Sequence, residues 1–211
     1  MIDDSKRILK DITDFGLRAI IMGTLYNKDS KEFERVRSWK EIYDKLSNKK
    51  VNVILDTDTY NECDDQFALS YLIKSKDIFN IEAITVAPFS HLSKNVSVKK
   101  GQDLSYKEIL KICNWLNFDY HNKVFKGSTD YMQNGYDEDN DAVNKIIEVA
   151  LKNDKTYIMA IGAITNVALA ITKEPKIIDR IEIIWLGGNE PNYKDNLEFN
   201  FKQDVKAVKT V

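Results

Sequence analysis

From Val51 onward the chain alternates short apolar runs with amphipathic segments, and this alternation predicts a parallel α/β fold. Apolar runs of about four to eight residues are typical of buried strands, while apolar positions three and four residues apart are typical of helices. The predicted strands are 51–55, 81–86, 157–161 and 181–186, and the predicted helices are 64–75, 105–115, 141–151 and 165–171. Such βαβ units favour an open, mainly parallel sheet flanked by helices.

Polar residues predict the start of one helix and the positions of the long loops. Thr165 is predicted to cap the helix that it begins. The long loops are expected at 88–103 and 126–140, where the apolar residues follow neither a helical nor a strand spacing.

Residues 1–50 follow a different pattern, which predicts a helical N-terminal extension. Apolar side chains recur at helical spacing with charged residues between them, at Val36, Trp39, Ile42, Tyr43 and Leu46. A polar break follows at 47–50. We therefore expect a helical extension over 1–50 and an α/β domain over 51–211.

Charge and composition exclude several classes of protein. The 211 residues carry 31 basic and 33 acidic side chains, a net charge of −2, which argues against a nucleic-acid binder. No stretch approaches the ~20 apolar residues that span a bilayer, so no membrane partner is expected. Two cysteines, Cys63 and Cys113, cannot build a disulfide scaffold or a zinc site alone. With no secretion signal, a cytoplasmic location is expected.

The segment that follows the first predicted strand carries the strongest chemical signal. Five carboxylates occur within ten residues, at Asp56, Asp58, Glu62, Asp64 and Asp65. They would repel one another strongly unless a cation lay among them. Oxygen ligands suit Ca²⁺ or Mg²⁺ better than zinc. Helix capping is the alternative, but it explains at most Asp64 or Asp65.

Two further strand ends carry polar or flexible residues. The turn from Ile161 through Gly162 to Asn166 could aim backbone groups at a ligand, although taken alone an ordinary strand–turn–helix is the favoured explanation. After the last predicted strand come a glycine pair and then Asn192, Glu198 and Asn200. Asn and Glu side chains suit a polyhydroxylated ligand such as a sugar, and a solvated loop is the alternative.

Taken in order, these segments resemble the inosine–uridine-preferring nucleoside hydrolase family. That family has an Asp-Thr-Asp-Pro-Gly-x-Asp-Asp loop, a Thr-Gly-x-Leu-Thr-Asn turn, Met-Gly-Gly, Glu-Phe-Asn and Asp-Pro-Glu-Ala. The matching segments here are 56–58, 64–65, 161–166, 186–188, 192, 198–200 and 204–207. The resemblance implies a nucleoside hydrolase-like, Rossmann-like fold, a homo-oligomer and a role in nucleoside catabolism or purine and pyrimidine salvage.

The resemblance also implies a reaction, the Ca²⁺-dependent hydrolysis of the N-glycosidic bond of a ribonucleoside. Asp58 would be a metal ligand and the general base, Asp65 a second ligand and the backbone carbonyl of Ile161 a third. Such a cation lowers the pKa of its bound water, and the neighbouring carboxylate takes the proton.

Five other positions receive supporting roles from the resemblance. Ribose hydroxyls would be bound by Asp64, Asn192, Glu198 and Asn200. Asp56 would not bind the metal directly but would support the residues that do.

Three departures from the family pattern bear on activity. The loop after Asp58 is two residues longer than in the family, so Asn61 and Glu62 are expected to reshape the pocket. Phe89 stands where the family has an asparagine, with His91 nearby. The family's last metal ligand, an Asp usually preceded by His, would lie beyond Val211, so the chain is expected to be C-terminally truncated.

Two alternatives stay open at the level of sequence. A haloacid dehalogenase-like, Mg²⁺-dependent phosphatase also begins with a strand that ends Asp-x-Asp, here Asp56 and Asp58. That alternative explains neither Asp64–Asp65 nor Glu198–Asn200. The second alternative is a catalytically silent module that binds a sugar or nucleoside.

Overall fold

The computed structural model describes residues 51–135, 139–190 and 192–211 without interruption. Of the first fifty residues it describes 2–3, 7, 10, 20–23, 27, 31, 34–38, 40–41 and 50. The chain divides into two compact units, Met1–Lys50 and Val51–Val211.

The described residues of the first unit form a small parallel sheet. Its strands are β1 (Ile2–Asp3), β2 (Ile20–Met22) and β3 (Glu34–Val36), in the order β1–β2–β3. Next to the paired strands, the amide of Gly23 donates to the carbonyl of Val36 at 2.7 Å.

The prediction that this segment is helical is therefore wrong for these strands. Val36, which was placed on a helical stripe, is a buried strand residue. Its backbone is held by pairing with β2, and such pairing overrides a short helical period in a β-branched position. The rest of the predicted stripe, Trp39, Ile42, Tyr43 and Leu46, lies outside the described residues.

The second unit is built on a five-stranded sheet in which every pairing is parallel, as predicted. Its strands are β4 (Val51–Thr57), β5 (Phe79–Val86), β6 (Val124–Lys126), β7 (Thr156–Ala160) and β8 (Ile181–Trp185). Their order is β6–β5–β4–β7–β8, so β4 is central.

Helices flank this sheet on both faces. The helices are α1 (Cys63–Lys74), α2 (Val98–Trp115), α3 (Asp141–Lys152), α4 (Thr165–Lys173), α5 (Phe199–Gln203) and α6 (Val205–Thr210). Short 3₁₀ helices occupy Leu92–Lys94 and Pro175–Arg180. Within the part of the chain that the structure describes, none of the helices has the length and apolar character needed to cross a membrane.

Alternating side chains of β4 supply two hydrophobic cores, one on each face of the sheet. Val53 and Leu55 pack with the buried faces of α1 and α2, and Ile54 packs with those of α3 and α4. Because β4 is covered on both faces, its side chains are almost all buried, which explains the continuous apolar run.

The structure corrects one predicted helix start and one predicted helix cap, while the predicted start at Thr165 is confirmed. The second helix begins at Val98 instead of 105, so part of the predicted loop 88–103 is helical. Ser97 caps it by accepting a hydrogen bond from the amide of Lys100. The first turn is mostly polar, so the hydrophobic period by which the helix was predicted begins only after this turn. Thr165 does not cap its helix, because its hydroxyl donates instead to Asp204 at 2.8 Å.

Asp204 ties three segments of the second unit together. The side chain is 1% exposed, and its Oδ2 accepts hydrogen bonds from the amide of Met132 at 2.7 Å and from Thr165. Its Oδ1 accepts from the amide of Ala207 at 3.2 Å, which caps α6. These three hydrogen bonds hold the loop after β6 against α4 and α6.

We expect Asp204→Ala to lower the free energy of unfolding by about 3 kcal/mol, because it leaves buried donors without a partner. Urea denaturation measures the change. Asp154→Ala, at an exposed position, is the matched control and should change the free energy by less than about 0.5 kcal/mol. Equal stability of the two variants would show that the Asp204 hydrogen bonds contribute nothing net.

Candidate active site

The candidate site lies at the carboxyl end of the central strand. Asp56 is the penultimate residue of β4, and Asp58 follows the strand directly. Their exposed fractions are 0% and 1%, since β5 and β7 flank the strand on either side. The carboxyl ends of strands are where open parallel sheets bind ligands.

Asp56 is held by neighbouring side chains through one of its two oxygens. Its Oδ1 accepts hydrogen bonds from Thr85 Oγ1 at 2.7 Å and from Asn166 Nδ2 at 2.9 Å. Its Oδ2 is buried without a partner. Burial raises the pKa of Asp56 to about 6, although the two hydrogen bonds act in the opposite direction.

Asn166 is the site residue that sequence reasoning missed as a functional position. Its Nδ2 donates to Asp56 and to the carbonyl of Val86 at 3.0 Å, while its Oδ1 accepts from the amide of Ser128 at 2.9 Å. This one amide joins β4, the end of β5 and the loop after β6. The available signal was its place in the first turn of a helix that directly follows a buried strand.

Asp58 and Asp65 are both buried carboxyl groups with raised pKa values. The Oδ2 of Asp58 is buried and has no partner, and burial followed by the charge of Asp65 raises the pKa of Asp58 well above its ordinary value. Asp65 accepts a 2.5 Å hydrogen bond from the hydroxyl of Thr57, whose oxygen also lies 2.9 Å from that of Thr59. Burial, together with the charge of Asp64, raises the pKa of Asp65 to about 7.

A close backbone approach completes this side of the site. A Cβ atom at Gly162 would lie 2.7 Å from the Cβ of Ala87 and 3.1 Å from Oδ1 of Asp58, so only glycine lets the turn after β7 come this near. The carbonyl of Ile161, in the same turn, accepts a hydrogen bond from Asn200 Nδ2 at 3.0 Å. The same Nδ2 donates to the carbonyl of Leu186 at 2.9 Å.

Glu198 has a structural role that the sequence did not predict. Its carboxylate caps α5 by accepting from the amides of Asn200 and Phe201, and it also accepts from the amide of Gly188 at 3.2 Å. Glu198 and Asn200 therefore hold the glycine-pair loop against the turn at Ile161.

The other predicted site residues lie further toward solvent. Asp64 is exposed in the first turn of α1, and Asn192 is exposed in the loop after β8. Glu62 is exposed at the start of α1, where its side chain makes no capping bond. Asn61 is half-buried, and its amide donates to the carbonyl of Asp58 at 2.8 Å.

Phe89 and His91 differ sharply in their surroundings. Phe89 is 2% exposed and packs against Gly101, so it fills the core and offers no polar contact. His91 is half-buried with Nδ1 3.1 Å from the hydroxyl of Ser93. It lines a cleft of about 470 Å³ together with Tyr131 and part of α5. Burial, with a smaller contribution from the charge of Asp58, raises the pKa of Tyr131 to about 12.

The donor set around Asp58 fits a hard cation in part. Among the described residues, no three His, Cys, Asp or Glu side chains converge as a metal-binding group. The predicted ligands are two carboxylates, Asp58 and Asp65, and one carbonyl, that of Ile161. The buried and unpartnered oxygen of Asp58 is the kind of group that a cation would satisfy.

Solved structures of nucleoside hydrolases share this fold. A plant nucleoside hydrolase matches with a TM-score of 0.61 and 20% identity, over 77% of this chain and 56% of that one. The purine-preferring ribonucleoside hydrolase of Gardnerella vaginalis matches with a TM-score of 0.58 and 23% identity, over 75% of this chain and 56% of that one. The chain thus spans little more than half the length of these structures.

Sequence comparison leads to the same family. An inosine-uridine preferring nucleoside hydrolase of Crithidia fasciculata is 36% identical over 75 residues, which are 33% of this chain and 24% of that protein. Residues 53–211 match the family model described as inosine-uridine preferring nucleoside hydrolase. Since that match covers most of the chain, including the carboxylates after β4, the chain belongs to the inosine-uridine preferring nucleoside hydrolase family.

Proposed function

We propose that the chain hydrolyses the N-glycosidic bond of ribonucleosides and releases ribose and the free base. The observation that carries the proposal is the buried, unpartnered oxygen of Asp58 beside Asp65, at the carboxyl end of the central strand. Two coupled carboxylates in such a place favour either protonation or a bound cation. Family membership supports nucleosides as the substrate class.

The proposed cation is Ca²⁺, held by Asp58, Asp65 and the carbonyl of Ile161. When bound, it lowers the pKa of a coordinated water and orients sugar hydroxyls. A positive charge beside Asp58 would also lower the pKa of this carboxyl group and so keep it ionised near neutral pH.

The ionised carboxylate of Asp58 acts as the general base. It takes a proton from the attacking water as the water oxygen bonds to the anomeric carbon. The bond from that carbon to the base nitrogen breaks, and the base leaves with the bonding electron pair and takes a proton from solvent, to which Asp58 returns the proton that it accepted. Asp56 keeps its hydrogen bonds from Asn166 and Thr85, and its negative charge would stabilise the cation without coordinating it.

The proposed sugar contacts are Asp64, Asn192, Glu198 and Asn200. Asn200 commits its Nδ2 to two backbone carbonyls, which leaves its Oδ1 as the acceptor for a sugar hydroxyl. Glu198 accepts backbone amides and keeps a fixed orientation. Rigid acceptors of this kind suit a polyhydroxylated ring.

We expect Asp58→Asn to lower the rate of ribose release from inosine and uridine by about 10²–10⁴-fold, because the general base is lost. A reducing-sugar assay with Ca²⁺ present measures the rate. Asp154→Asn, an exposed carboxylate before the amino end of β7 and so at the opposite end of this strand from the site, is the matched control and should retain the full rate.

The same assay separates the alternatives. Equal rates for Asp58→Asn and the unaltered chain would contradict the assigned base. Ca²⁺ and ribose binding without any ribose release would indicate the silent binding module. Release of inorganic phosphate from a nucleotide, lost in Asp56→Asn, would indicate the phosphatase.

The pKa shifts also predict how the metal-free chain responds to pH. Asp56 and Asp65 have folded pKa values of about 6 and about 7 against an ordinary value of 3.8. At pH values between the ordinary pKa and the raised pKa, the folded state binds more protons than the unfolded state. The free energy of unfolding therefore falls as pH rises through this range. We expect urea denaturation in the presence of a chelator to show this fall from about pH 4 to about pH 7.

Asp65→Asn tests the origin of the pH slope. The amide oxygen can still accept from Thr57, but the titrating group is gone, so the slope should become shallower. Asp154→Asn should leave it unchanged. Stability that rises or stays constant across this window would contradict the assigned shifts.

A further inference from the structure

The turn between β7 and α4 needs a glycine that lies close to Asp58 and is nevertheless held in one conformation. Gly162 meets the first need, since an added Cβ atom would lie 3.1 Å from Oδ1 of Asp58. Glycine also has more backbone freedom than any other residue. The carbonyl of Ile161, a proposed ligand of the cation, belongs to the peptide group directly before Gly162. The orientation of this carbonyl therefore depends on how the backbone of Gly162 is held.

Two side chains bind the peptide groups on either side of Gly162. Before it, Asn200 Nδ2 donates to the carbonyl of Ile161 at 3.0 Å. After it, the indole Nε1 of Trp185 donates to the carbonyl of Gly162 at 3.0 Å. Because a peptide group is planar, a hydrogen bond to each of the two groups restricts the backbone rotations of the glycine between them. Asn200 has a proposed contact with the sugar, whereas the proposed reaction gives Trp185 no part.

The indole of Trp185 is itself held by the segment that follows β8. Its ring is stacked on that of Phe201 in α5, with centroids 6.0 Å apart and 23° between the planes. Gly187 lies so close that an added Cβ atom would be 2.3 Å from the indole ring. Between Trp185 and Gly187, the amide of Leu186 donates to the carbonyl of Ala160 at 2.9 Å. A ring packed in this way has little rotamer freedom, so its N–H is a preorganised donor.

We propose that Trp185 is a positioning residue for the metal site, whose N–H holds the turn at Gly162 and so orients the carbonyl of Ile161 for the cation. A carbonyl oxygen has two lone pairs, so that of Ile161 can accept from Asn200 and bind a cation at the same time. Groups that orient metal ligands without touching the metal contribute strongly to metal affinity. This inference rests on the proposed Ca²⁺ site and adds a residue to it.

Calorimetric titration of the Trp185→Phe chain with Ca²⁺ tests the inference. The phenyl ring can still stack on Phe201, but the N–H donor is lost, so we expect the Kd for Ca²⁺ to rise by about tenfold. Trp115→Phe is the matched control, because it makes the same change in a side chain that is exposed at the end of α2. It should leave the Kd unchanged. An unchanged Kd in Trp185→Phe, or an equal rise in both variants, would overturn the inference.

Ribose release at two Ca²⁺ concentrations separates positioning from general damage to the fold. At a concentration equal to the Kd of the unaltered chain, a tenfold weaker site is filled about fivefold less, so Trp185→Phe should be about fivefold slower. At saturating Ca²⁺ its rate should return to that of the unaltered chain. A rate that stays low at saturating Ca²⁺ would show that Trp185 does not act through metal binding and would overturn the inference.

A variant that keeps Trp185 covers the case in which Trp185→Phe does not fold. The sequence has three tryptophans, so Trp39→Phe/Trp115→Phe leaves Trp185 as the sole source of tryptophan emission. A cation at the carbonyl of Ile161 places a charge one peptide group away from the carbonyl that the indole contacts. We therefore expect the emission to change saturably with Ca²⁺, with a midpoint equal to the calorimetric Kd.

The combined measurements distinguish failure of this inference from failure of the proposed metal site. Calorimetric binding of Ca²⁺ without a change in the emission of Trp185 would overturn the inference and leave the proposed cation standing. Absence of Ca²⁺ binding by the unaltered chain would overturn both.

Discussion

The burial of three carboxyl groups at the end of β4 is the constraint on which the site depends. A charged carboxylate in a dry interior is costly unless hydrogen bonds or an opposite charge compensate for it. Asp56 receives two hydrogen bonds and Asp65 one from Thr57, but one oxygen each of Asp56 and Asp58 receives none. These hydrogen bonds compensate for only part of the cost, and the proposed cation would compensate for the rest.

The polar groups around this cluster serve mainly to fix its geometry. Asn166 connects β4, the end of β5 and the loop after β6, while Gly162 allows the turn after β7 to approach Asp58. On the far side, Glu198 and Asn200 bind the glycine-pair loop to the same turn. The ends of β4 and β5 and the segments that follow β6, β7 and β8 are therefore held together before a ligand binds, and such preorganisation is what electrostatic catalysis requires.

The parallel sheet could be predicted from the sequence because strands covered on both faces are mostly apolar, as Val53 to Leu55 of β4 are. The carboxylate cluster was also visible, since its members are close in sequence. Asn166 was missed because its partners, Asp56 and Val86, are distant in sequence and only the fold brings them near. The helical prediction for Val36 was wrong because strand pairing outweighed a short helical period.

Helix starts and side-chain roles were harder to predict for a related reason. The first turn of α2 is polar, so the hydrophobic period begins well after its Ser97 cap. Glu198 is predicted to contact the sugar, and in the structure it also caps α5. The sequence does not distinguish these roles, because a glutamate in this loop could serve as a helix cap or as a ligand contact.

The central claim is that a cation compensates for the buried carboxylates, and calorimetric titration of the chain with Ca²⁺ tests it most directly. The titration is run between about pH 6 and pH 7, near the raised pKa values of Asp56 and Asp65, in two buffers that differ in ionisation enthalpy. We predict saturable binding that releases protons, so the observed heat depends on the buffer, and both binding and proton release are lost in Asp58→Asn. Absence of binding, or binding with no proton release, would contradict the claim.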